Sequence, residues 1–451
     1  MQPHSENKMG IMPVPRLVIS MSFPIMLSML IQALYNIVDS IFVSMSSELA
    51  LTAVSLAFPM QNLMISVAVG TSIGVNSLLS RKLGERDYER AEKCANNGIV
   101  LAFLSWIAFA FIGLLFSKTF FSIFSDDQNL VQLGTKYIAI CLIFSFGIFI
   151  DITCERIMQA TGDTIHPMIV QIAGAVTNII LDPIMIFGLF GFPTLGITGA
   201  AIATVIGQHV SMLLAIFFVR RNKEVKISVK YFKLEGKIVK DIYAVGLPSI
   251  IMQSIGTIMT TLFNKLLISY GNSAVSVFGV YFKLQSFVFM PVFGLNSGMI
   301  PVMGFNYGAK NPKRITQTIK TGIIIAMSIM IVGFLVFTLF PETLLSWFNA
   351  SEQMMDIGKV ALPRISLCFI SAGLSIVLMS LFQAIGDGYL SMIISVTRQL
   401  VVLIPVAYLL SKLGGLDAIW YSFIIAELVS LCLTIFFFKS EYKKKIKPLY
   451  A

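Results

Sequence analysis

The chain has 451 residues, of which 56% are hydrophobic and only 12% charged. That balance excludes a soluble globular protein, which carries about twice that share of charged residues. The formal net charge of +10 raises nucleic acid as a partner, but the placement of the basic residues points to a membrane surface instead.

A helix that crosses a bilayer needs about 20 mostly apolar residues. Twelve such stretches follow in order, over 16–44, 50–80, 92–117, 131–158, 165–188, 196–219, 240–269, 273–305, 315–340, 357–385, 390–411 and 417–438. The first is too long for a cleaved signal peptide and no small-residue cleavage site follows it, so it reads as the first span. Lys and Arg gather at Lys8 and Arg16 and in 81–93, 220–240, 310–320 and 439–447. These groups hold 24 of the 33 basic residues, whereas the connections 45–49 and 189–195 hold none. Basic loops stay on the cytoplasmic side, so both termini are expected there. Lys443, Lys444 and Lys445 then meet anionic lipid headgroups.

The chain repeats itself at an offset of 224 residues. Gln159-Ala160-Thr161-Gly162-Asp163 recurs as Gln383-Ala384-Ile385-Gly386-Asp387, Gly98-Ile99 as Gly322-Ile323, and Ser22-Phe23-Pro24 as Gly246-Leu247-Pro248. Two homologous six-span halves follow, an arrangement used by many secondary transporters. The expected organisation is all-α: a cytoplasmic tail over 1–15, an N-lobe over 16–219 and a cytoplasmic linker over 220–239. A C-lobe over 240–438 and a basic cytoplasmic tail over 439–451 complete it. The linker, alternating in polarity from Val225 to Phe232, reads as a segment lying on the inner lipid surface.

Each polar residue inside a span is informative, because an ionisable group there is costly unless paired or hydrated. Asp39 lies in the first span. Asn178 and Asp182 lie in the fifth, four apart and so on one helix face, with Pro183 freeing the carbonyl of Ile179. Two carboxylates, an amide and a free carbonyl form a hard-oxygen site for Na⁺, or for a proton shared between close carboxylates. The second half carries Asn264 near the position of Asp39 and no counterpart of Asp182, so coupling through one lobe is expected. Arg398 and Glu427 read as a structural ion pair between the eleventh and twelfth spans. Lys283 either snorkels or faces an aqueous cleft, and Asn36 is a further structural or cleft-lining candidate. The five cysteines show no paired spacing, so neither a disulfide framework nor a zinc site is expected. With three scattered histidines, no P-loop and no nucleophile elbow, neither an enzyme nor an ATP-driven pump is expected.

Asn36-Ile37-Val38-Asp39-Ser40-Ile41-Phe42-Val43, Gln159-Ala160-Thr161-Gly162-Asp163, Asn178-Ile179-Ile180-Leu181-Asp182-Pro183, Gly304-Phe305-Asn306-Tyr307-Gly308-Ala309 and Arg398-Gln399, in this order, resemble the multidrug and toxic-compound extrusion (MATE) transporters, most closely the bacterial DinF and MepA branch. The resemblance implies a V-shaped pair of six-helix lobes in a bacterial inner or plasma membrane. It implies export of drugs or dyes by alternating access, driven by inward H⁺ or Na⁺ bound at Asp39, Asn178 and Asp182, with no other cofactor. Lipophilic cations are the expected substrates and a monomer the expected state. Family members with C-lobe acids carry them where this chain has Gly256 and Ala372, so no C-lobe Na⁺ site of that kind is expected. A flippase for a lipid-linked cell-envelope precursor is the alternative. It would need a strongly cationic path, and the deep cations here are Lys283, Arg398 and Lys265. A receptor or scaffold would not need acids in one half only.

Overall fold

The computed structural model describes residues 7–228 and 233–450. The start of the N-terminal tail, the middle of the linker with the end of its alternating stretch, and the last residue lie outside the described residues. Among the described residues all regular structure is helical. The long helices are α1 (Val14–Ser46), α2 (Glu48–Gly84), α3 (Tyr88–Phe124), α4 (Gln128–Ile143), α5 (Phe146–Ala160), α6 (Ile165–Phe187), α7 (Ile197–Arg220), α8 (Gly236–Leu267), α9 (Asn272–Gly308), α10 (Pro312–Leu339), α11 (Glu352–Ile385), α12 (Gly388–Ile419) and α13 (Ser422–Tyr450). Eleven of these are long and apolar enough to cross a membrane. The pair α4 and α5, bent by 42°, completes a twelfth span.

The helices run beyond the apolar stretches because their polar ends are capped. Asp87 accepts from the backbone of Arg90 at 3.2 Å and starts α3, and the ion pair Glu89–Lys93 at 3.0 Å stabilises its first turns. The bend in the fourth span falls at Phe144-Ser145. There the carbonyl of Ile143 accepts from the Trp106 indole at 2.9 Å, so the break leaves that carbonyl satisfied.

Two compact units emerge, and their borders fall inside helices. One comprises residues 1–7 and 27–250, the other 8–26 and 251–451. The sequence-based borders, at the linker and the N-terminal tail, lie about a dozen residues away from these. The displacement is reciprocal and follows the repeat. In the first unit Gly70 and Gly74 of α2 lie against Ile250 and Gly246 of α8. In the second, Gly294 and Gly298 of α9 lie against Met26 and Ser22 of α1. All four pairs are related by the same 224-residue offset. Ser22 Oγ also donates to the carbonyl of Leu295 at 3.3 Å. The opening turns of α1 and α8 thus each pack within the unit built mainly from the other half's helices.

The repeat also holds inside the units. A Cβ on Gly98 would meet Val75 and Thr153, and one on Gly322 would meet Met299 and Val377, again 224 residues on. Gly162 and Gly386 end their helices with φ of 99° and 96°, a region open to glycine and strained for other residues. The next residue closes each turn, Asp163 N to Met158 O at 2.9 Å and Asp387 N to Phe382 O at 2.7 Å. The motif is therefore a helix stop dictated by backbone geometry. Its acids go separate ways: Asp163 meets His166 Nδ1 at 2.5 Å, whereas Asp387 pairs with Lys445 at 2.5 Å.

Two adjacent amides hold the described ends of the linker against α3. Asn96 donates to the carbonyl of Lys226 at 3.2 Å and accepts from the backbone of Ser228 at 2.9 Å. Asn97 does the same for Lys233 at 3.3 Å and Glu235 at 3.0 Å. The tail beyond residue 438 continues as helical turns to Tyr450.

Candidate functional site

The first unit gathers its membrane-embedded polar residues from five helices. Asp39 comes from α1, Asn178 and Asp182 from α6. Their carboxyls, brought together from sequence positions 143 residues apart, share a side-chain hydrogen bond. Such a bond exists only when one of the two holds a proton, because two carboxylates are acceptors only. Asp182 and Asn178 are buried, and Asp39 is half-buried. One oxygen of each acid, Asp39 Oδ1 and Asp182 Oδ1, is buried without a hydrogen-bond partner.

Asn178 is satisfied in one amide orientation. Its nitrogen donates to Asp182 Oδ2 at 2.7 Å, and its oxygen accepts from Thr204 N at 3.0 Å and Thr204 Oγ1 at 3.2 Å. Thr204 on α7 reaches it because Gly174 and Gly207 bring α6 and α7 into close contact. The hydroxyls of Tyr35 and Thr204 also hydrogen-bond. Gln61 of α2 donates to the Tyr137 hydroxyl of α4 at 3.2 Å, and Cys141 one turn further along α4 joins that pair.

Tyr35, Gln61, Tyr137, Cys141 and Thr204 are the members that sequence reasoning missed. Tyr35 had a signal, since it stands four residues before Asp39 on the same helix face. The others come from separate helices and have none. Asn36 lies off that face. It is exposed and accepts from Gln32 at 3.2 Å, outside the acid cluster.

The second unit is different at the mirrored positions. Phe263, fully buried, stacks on Phe278 at 4.6 Å between ring centroids, with Trp420 and Phe423 alongside. Asn264 beside it has a buried Oδ1 without a partner. Ala372 is buried, and a Cβ on Gly256 would come no closer than 3.9 Å, to Gln399. Arg398 and Glu427 form an ion pair at 3.1 Å between α12 and α13. Lys283 is exposed, its ammonium 5.9 Å from the centre of the Phe348 ring.

Among the described residues no three of His, Cys, Asp and Glu converge as a metal-holding group. The cluster in the first unit can exchange a small cation at a carboxyl pair that is buried on one side and lined by hydroxyls and an amide. It holds no nucleophile–base arrangement.

Comparison with known proteins agrees. The MatE family model matches residues 24–184 and 248–409, one copy per half. The multidrug export protein MepA of Staphylococcus haemolyticus is 26% identical over 417 residues, covering 92% of this chain and 91% of its own. A solved multidrug resistance MATE family transporter of the MOP superfamily, in an outward-facing conformation, superposes with a TM-score of 0.93 at 26% identity over all of both chains. A MOP superfamily transporter from Pyrococcus furiosus, described for the reverse polarity of its binding pocket, gives 0.92 at 26% identity over 99% of both. With a repeat whose halves each match the family model, twelve spans and two six-helix lobes, the chain belongs to the MATE family of membrane transporters and is not an enzyme.

Proposed function

We propose that this chain is a proton-driven multidrug exporter of a bacterial plasma membrane, working by alternating access. The observation that carries the reading is the hydrogen-bonded pair Asp39–Asp182 in one unit, with no equivalent pair in the other. A proton neutralises the pair, and its loss leaves two facing carboxylates that repel. Cation binding with different affinity in two arrangements is what moves such a switch. The amide of Asn178 favours H⁺ over Na⁺, because it turns its donor to Asp182 and its oxygen to Thr204. A bound Na⁺ would want that oxygen.

Carboxyl groups in an interior drawn from 36 Phe and 24 Met favour lipophilic cations as substrates. The flippase alternative loses support, since the charge of Arg398 is met by Glu427 and Lys283 faces a ring. Everted vesicles loaded with an ethidium-like dye test the coupling. A pH gradient alone should drive transport, and a Na⁺ gradient alone should not. Transport driven by Na⁺ at equal pH would overturn the proton reading.

The basic-loop bias supports cytoplasmic termini. A cysteine replacing Phe192 should react with a membrane-impermeant thiol reagent in intact cells, and one replacing Lys443 should not. The opposite pattern would invert the topology.

A further inference from the structure

A second pair of acids lies inside the first unit, away from Asp39 and Asp182. Asp151 and Glu155 stand four apart on α5, so they share a face, and they are close enough to interact electrostatically. Both are buried, with 9% and 3% of their surface exposed. Glu155 Oε2 accepts from Gln171 Nε2 of α6 at 2.9 Å. Gln171 lies on the α6 face that carries Asn178 and Asp182 further along. Asp151 Oδ1 and Glu155 Oε1 are buried with no hydrogen-bond partner at all.

The surroundings do not supply a counter-charge for both acids. Arg156 follows Glu155 in the chain, but its guanidinium donates to Gln159 Oε1 at 3.0 Å. Among the described residues no ion pair within 4.0 Å reaches either acid. From α2 come Ser72, bonded to Thr153 at 3.0 Å, and Asn76, which donates to the Arg156 carbonyl at 3.1 Å. From α3 come Gly98, against Thr153, and Cys94, bonded to the Val75 carbonyl. From α7, His209 packs at Gly147, one turn from Asp151, with its Nδ1 on the Val205 carbonyl at 2.8 Å. Cys154 is the remaining titratable group on α5 itself. Two ionised carboxylates one turn apart here would each be desolvated with an oxygen unmatched. A proton on one removes a charge and supplies an O–H donor. A metal ion is disfavoured, since no third acid joins them and Arg156 stands beside them.

We infer that Asp151 and Glu155 form a second proton-binding site of this transporter, in exchange with the cytoplasmic side and distinct from Asp39–Asp182. The step is proton binding alone: hydronium gives its proton to a carboxylate oxygen, and release reverses it. The side follows from position. Glu155 is five residues from the end of α5 at Ala160, next to the turn that the charge bias makes cytoplasmic. The role in transport rests on the proton-antiport reading above.

The test uses full-length protein in lipid vesicles, with two readouts. At about pH 7 surface carboxyls are ionised, so infrared carbonyl bands of protonated carboxyls report buried ones. Asp39→Asn with Asp182→Asn should remove one share of that signal and leave another. The remaining share should vanish when Asp151→Asn and Glu155→Gln are added. In the otherwise unaltered chain, Asp151→Asn with Glu155→Gln should flatten the pH dependence of dye efflux at unchanged membrane content. No protonated-carboxyl band left in the Asp39→Asn/Asp182→Asn protein, or a pH profile unmoved by replacing Asp151 and Glu155, overturns the inference. Wild-type efflux that ignores a pH gradient would instead remove the antiport reading beneath it.

Discussion

Asp39→Asn and Asp182→Asn are each expected to lower gradient-driven dye efflux by at least about tenfold, with protein folded and inserted at the wild-type level. Either change keeps the size and much of the hydrogen bonding of the side chain and removes its titration. The pair then presents the same charge at every pH, and a ligand without differential affinity for two states shifts neither. Asn264→Ala, in the second unit, should stay within about twofold of wild type, because the aromatic packing around Phe263 holds that region without it. Efflux compared at matched membrane content checks both arms. Undiminished, pH-dependent pumping by either Asp→Asn variant would remove the pair from the coupling step.

Gly74→Val and Gly298→Val should both lower the yield of inserted protein and its thermal unfolding temperature. A Cβ at Gly74 would run into the backbone of Ile242 and Gly246, and one at Gly298 into Ser22 and Met21. These neighbours are helix backbone or lie close to it, so they cannot swing aside. Overpacking of this kind costs about 1–3 kcal/mol, occasionally more. Gly279, where a Cβ meets nothing within 4 Å, supplies the control: Gly279→Ala should leave both measurements unchanged. Equal behaviour of all three variants would mean that the opening turns of α1 and α8 do not pack as described.

Much of the architecture was legible along the chain. Apolar length alone gave the twelve spans, and three short motifs gave the 224-residue repeat. Hydropathy could not reveal the exchange of helix ends, because the residues around Ser22 and Gly246 are equally apolar whichever helix they meet. The acids of the site stood out because a carboxyl in a span has few bland explanations. Hydroxyls did not. Ser40 and Thr177 return their protons to carbonyls one turn back, at 2.8 and 2.7 Å, a common habit of such residues in helices. Thr204 looks the same in sequence, and only packing of α7 on α6 aims it at Asn178. Asp151 and Glu155 are a similar case: their neighbour Arg156 invites a pairing that the structure gives to Gln159 instead.

The account turns on a proton that leaves or enters the Asp39–Asp182 pair when substrate binds. Purified protein in weakly buffered solution with a pH-sensitive dye measures that directly. Addition of a lipophilic cation should release protons from the wild-type protein and none from the Asp39→Asn/Asp182→Asn protein, with substrate bound in both. Equal proton release from the two, or none from the wild type while substrate binds, would contradict it.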